Sequence, residues 1–127
     1  MSTQKPPSQR QLRVGEEIRH VLSSIFMRGE CHDRDINATP ITVSEVRISP
    51  DLKNATAYVM PLGGLNLEAV MAALIRNAPI LRKLVSDQMN LRYAPRISFR
   101  IDNSFEEAQR IETLLNKPEV ARDLEPK

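Results

Sequence analysis

The sequence predicts an α+β fold, a single domain in which a three-stranded sheet packs against helices in the order helix, strand, strand, helix, kink, helix, strand. Three observations lead there. Apolar residues at helical spacing flank two β-branched stretches, a further alternating stretch closes the series, and Asn77-Ala78-Pro79 interrupts what would otherwise be one long helix. With 127 residues, 41% of them apolar, the chain is long enough for one packed core and short for two. Residues 10–115 are assigned to the domain, and 1–9 and 116–127 to flexible tails.

From Gln9 to Arg28, the residues Val14, Ile18, Val21, Leu22, Ile25 and Phe26 fall on one helical stripe, with Arg13, Glu16 and His20 opposite. Gly29 is the expected terminator, and GECHDRDINATP, polar and without periodicity, is expected to be a loop. Ile41 to Ser49 alternates, but its apolar phase slips between Val43 and Val46, which predicts a bulge at Ser44-Glu45. Asn54 to Leu62 reads as its partner, and SPDLK between them supplies the turn of a hairpin.

Gly63-Gly64 frees the chain to turn, and Asn66 is expected to cap a helix running through the apolar residues Leu67, Val70, Met71, Leu74 and Ile75. Beyond the break, a second helix is expected to bury Ile80, Leu81, Leu84 and Val85, leaving Arg82, Lys83, Ser86 and Asn90 outside. Pro79 lacks an N–H and restricts Ala78, yet suits the first turn of a new helix, so Asn77, Ala78 and Pro79 together are predicted to form a fixed elbow. In the last strand, Ile97, Phe99 and Ile101 share one face, and Arg96, Ser98, Arg100 and Asp102 the other. Ser104 is expected to cap a short helix reaching about Leu115.

A net charge of +2 is too small to decide a partner, so the placement of charge matters. Arg76, Arg82, Lys83, Arg92, Arg96 and Arg100 stand against Asp87 alone, whereas the stretch after Asn103 is acidic. Arg82 and Lys83, on the outer face just after the kink, suit phosphate; the competing account is a solvated helix face. Arg96 and Arg100 share one side of a strand, either against an RNA backbone or as edge charges that discourage aggregation. Arg92 fits an RNA contact or an ion pair with Asp87 or Asp102 equally well.

Other chemistries lack their residues. Aromatics are 4% of the chain with no Trp, against a base-stacking sheet; Phe26, Phe99 and Phe105 are assigned to the core, and packing is preferred for Tyr58 and Tyr93. Cys31-His32-Asp33 with Asp35 lacks the ligand spacing of a zinc site, so no metal is expected, and His20 is assigned to a surface pair with Glu16. Gly63-Gly64 is not followed by Lys-Ser or Lys-Thr, no Ser has a nucleophile's context, and the carboxylate pairs are neighbours along helices; neither catalysis nor a cofactor is expected. One cysteine permits no internal disulfide, no apolar run reaches about 20 residues, and MSTQKPPSQ lacks the apolar core of a signal peptide, which together point to the cytoplasm.

The element order is the one a KH-type RNA-binding domain of the second topological class would show. Specific residues narrow it. RVGEEIRHVLSSI, TVSEVRISPDLKNATAYV and RNAPILRKLVSDQMNLRYAPRISFRIDNS together resemble the ribosome-binding factor A family over Arg10 to Leu115. The resemblance implies a KH-like fold in which a kink on a short Ala-x-Gly element replaces the Gly-rich loop. Here the matching triplet is Asn77-Ala78-Pro79, with both the Ala and the Gly replaced. It also implies a noncatalytic, monomeric factor that associates with the immature small (30S) ribosomal subunit and its rRNA during late maturation, with ribosomal proteins as further partners. The basic residues from Arg76 to Arg100 would supply the RNA contacts. The alternative is a protein-interaction module without direct RNA contact, whose binding would be far less sensitive to salt.

Overall fold

A computed structural model describes residues 6–89 and 94–103. Helix α1, Gln9–Arg28, opens with a capping box: Ser8 Oγ accepts from the Gln11 N–H at 3.1 Å, and Gln11 Oε1 accepts from the Ser8 N–H at 2.9 Å. The Gln11 Nε2 also donates to the Ile48 carbonyl at 3.0 Å, tying the helix start to the sheet. The helix ends as expected at Gly29, which takes the left-handed conformation. Ile18, Leu22 and Ile25 are fully buried on the expected stripe.

The predicted loop contains one helical turn, α2, Arg34–Asn37. Asp33 caps it by accepting from the Asp35 N–H at 2.9 Å, and Ile36 pins it to the core. Four residues carry too little periodicity to register as a pattern.

Strands β1, Ile41–Ile48, and β2, Asn54–Pro61, pair antiparallel, with the register shift between Val43 and Glu45 where the bulge was predicted. The turn between them is a closed network. Leu52 N–H donates to Ser49 O at 2.8 Å, while Asp51 Oδ1 accepts from Ser49 Oγ at 2.6 Å and from Lys53 N–H at 3.0 Å. These bonds hold Leu52 at φ 61°, a backbone state that Leu rarely adopts.

Helix α3, Leu67–Arg76, and helix α4, Ala78–Met89, are separated by Asn77 alone. Two expectations change here. Asn66 occupies the capping position, but its backbone is left-handed and its side chain makes no cap bond. Ile75 and Ile80 are 65% and 52% exposed, because Val70, Ala73, Leu74, Asn77, Leu81 and Val85 already form one buried stripe that crosses the elbow in helical phase. Strand β3, Arg96–Ile101, pairs parallel with β2, so the order among the described residues is β1-β2-β3 with β2 central. The helices cover one face of this sheet, where Val43, Val46, Ala57, Val59, Ile97 and Phe99 meet Ile18, Leu22, Leu74 and Leu81. This is an α+β, KH-like fold. The helix expected from Ser104 lies outside the described residues.

Candidate nucleic-acid interface

An open groove of about 910 Å³ lies where the start of α1, the β1–β2 turn, α4 and the start of β3 converge. Each element brings a cation to it: Arg10, Lys53, Arg82 and Arg96. Val14, Ile48, Leu52 and Pro95 give it apolar walls. Parallel pairing creates the juxtaposition, since the Arg96 N–H donates to the Lys53 carbonyl at 2.8 Å and Asn54 faces Arg96 in register. Asp51 lies in the same groove, its carboxyl held below the usual range by the Ser49 hydroxyl and then by the Lys53 N–H. It therefore stays charged and keeps anions away from its own corner.

Arg82 is oriented rather than loose. Its Nη2 and Nε donate to the Ala94 carbonyl at 2.8 and 3.2 Å, which braces α4 against the segment leading into β3. A guanidinium has five N–H donors, so others remain for a ligand.

The six predicted contacts do not form one surface. Arg82 and Arg96 share the groove, and Arg100 follows Arg96 along the exposed side of β3. Lys83 projects from α4 beside Asp87 at 3.4 Å. Arg76 instead sits in an ion-pair cluster, 3.0 Å from both Asp33 and Asp35, and serves the elbow. Arg92 lies outside the described residues. Arg10 and Lys53 were missed because a scan of charge along the chain finds only the dense run and treats Lys53 as part of a turn. The signal available was Lys53's place at a turn tip beside a strand start, where binding residues concentrate.

The elbow also differs from expectation. Ala78 and Pro79 are already helical, and the break is at Asn77, buried at φ −101° and ψ 7°. Its Nδ2 donates to Ala73 O and to Asp33 Oδ2, both at 2.8 Å. The Asn77 amide, followed by the Asp35 N–H and Arg76, holds the Asp33 carboxyl below its ordinary value. Cys31, beside this cluster in sequence, is a core residue whose thiol burial pushes upward.

The family model described as Ribosome-binding factor A matches residues 10–115. The chain belongs to the ribosome-binding factor A family. Among its relatives of that name, the one from Bradyrhizobium diazoefficiens is 55% identical over 118 residues, spanning 93% of this chain and 82% of the relative. The one from Afipia carboxidovorans is 56% identical over 117 residues, spanning 92% and 83%. The crystal structure of ribosome-binding factor A from Thermus thermophilus shares the fold with a TM-score of 0.61 at 22% identity, over 72% of this chain and 94% of that one. Coordinates of the Thermus thermophilus factor fitted into a cryo-EM map of its 30S complex give a TM-score of 0.60 at 19% identity, over 73% and 96%. In this ribosome-binding factor A family member, Ser49-Pro50-Asp51-Leu52, within one of the runs that carried the resemblance, is the bonded turn whose Asp51 and Leu52 line the groove.

Proposed function

We propose that this chain is a noncatalytic assembly factor that binds the immature small ribosomal subunit, holding its rRNA along the groove bordered by Arg10, Lys53, Arg82 and Arg96, and assisting late rRNA maturation. The observation that carries this reading is the convergence of four cations from four separate elements on one groove. Such an arrangement suits phosphates presented by a folded RNA, because each cation meets the backbone at a fixed position and none needs to read a base. The 30S complex of the Thermus thermophilus relative supports the small subunit as partner. A monomer acting in the cytoplasm fits this role.

Co-sedimentation with purified small subunits, large subunits and assembled ribosomes tests it. Binding confined to small subunits, falling steeply as salt rises and weakened by the double reversal Arg10→Glu, Lys53→Glu, is the expected result. Salt-insensitive binding that the double variant retains would favour the protein-interaction reading.

A further inference from the structure

Tyr58, half-buried on the central strand, stands on the sheet face opposite the one that the described helices cover. Across β3 its partner in register is Arg100, and across β1 it is Glu45. The Arg47 guanidinium lies 5.1 Å from the ring centroid and bonds Glu45 at 2.8 Å. The bulge leaves Ser44 and Glu45 both exposed, and the Ser44 hydroxyl donates to Asp102 Oδ2 at 2.5 Å. Ser44, Glu45, Arg47, Tyr58, Asp102 and Asn103 line a concavity of about 530 Å³, on a different part of the molecule from the cationic groove.

We propose that this concavity takes one unpaired guanine of single-stranded RNA, its ring stacked on Tyr58, its Watson–Crick edge toward the Glu45 carboxylate, and its phosphate toward Arg100. The proposal rests on the RNA-binding reading above and adds a base-selective contact to it. An aromatic face on an open strand is a stacking platform for a base. The Arg47 side chain, 67% exposed, gives up its bond to Glu45 and its place over the ring when the base enters and closes over the base's other face, as a planar guanidinium does on aromatic rings. Ionised carboxylates only accept hydrogen bonds, so they match an edge of adjacent donors. Guanine presents N1–H and N2–H₂ side by side on that edge, whereas adenine, uracil and cytosine each offer a single donor group there, flanked by an acceptor. The Glu45 carboxylate turns the phosphate away from its end and toward Arg100, with Arg96 four positions along the same side of β3.

The test titrates UUGUU, UUAUU and UUUUU into the isotope-labelled full-length chain and follows it by NMR, with affinities from fluorescence anisotropy. The expected result is shifts at Tyr58, Arg47 and Arg100, with UUGUU bound most tightly. Tyr58→Phe should keep that affinity, and Tyr58→Leu should weaken it by about fivefold or more. Glu45→Gln, at an exposed edge, should fold normally and relax the preference for guanine. Equal affinity for the three oligonucleotides, or unchanged binding by Tyr58→Leu, overturns the proposal. Shifts confined to Arg10, Lys53 and Arg82 overturn it while leaving the RNA reading intact. No shifts with any oligonucleotide, together with salt-insensitive subunit binding, would remove both.

Discussion

Asn77 donates from one nitrogen to a backbone carbonyl and to a carboxylate, from a site only 7% exposed. Asn77→Ala removes both bonds from a buried site, an expected loss of about 1–3 kcal/mol in urea unfolding. Pro79→Ala, at an exposed position in the first turn of α4, should change stability by no more than about 1 kcal/mol, so the elbow persists without its proline. The same amide is the leading cause of the low Asp33 pKa, and Asn77→Ala should raise that pKa toward the usual range in an NMR titration. Because the folded value is depressed, the stability that Asp33 confers is complete above the unfolded carboxylate value of about 3.9 and is lost as pH falls through the lower folded one. Asp51, depressed by the Ser49 hydroxyl, acts with the same sign. Unfolding measured from about pH 6 to pH 2 should show a shallower acid decline in Asp33→Asn than in the parent.

At the level of elements, Gly15 sets how closely α1 lies on β1. A Cβ there would meet the Val46 carbonyl oxygen at 2.6 Å. Ala is the better helix former by about 1 kcal/mol, but forcing atoms into a packed interface costs about 1–3 kcal/mol. Gly15→Ala should therefore destabilise despite its propensity, seen as a lower thermal midpoint. That glycine was silent in the sequence, since within a helical pattern nothing distinguishes a close approach from a tolerated defect. The helix around it was legible to its ends because its 20 residues repeat the apolar stripe several times and Gly29 stops it. The bulge was legible too, since one slipped position reverses every side chain after it. Single-turn α2 was not, because its evidence is tertiary: one buried Ile36 and a carboxylate that reaches Arg76 and Asn77. Ile75 and Ile80 misled for a related reason, as apolar character alone does not say which side of a bend takes the core.

For the whole molecule, the candidate groove was half legible. Arg82 and Arg96 stood out by charge, whereas Arg10 and Lys53 join them only once the parallel pairing of β2 with β3 is known. If the groove holds RNA phosphates, Lys53→Glu should lower the salt dependence of subunit binding by about one contact's worth, and Lys83→Glu, beside Asp87, should do less. The late position of β3 in the chain also predicts an order of assembly. β1 and β2 are joined by a tight turn and are expected to pair early, whereas the bond from Ser44 to Asp102 spans 58 positions. Closing so long a loop costs entropy before its contacts can offset it. Native-state hydrogen exchange should accordingly find β3 opening at lower free energy than the hairpin. Lys53 belongs to the hairpin and Arg96 to the strand that joins it from far along the chain, so a partly folded chain has only one side of the groove, and if the groove holds RNA phosphates, binding becomes a readout of completed folding.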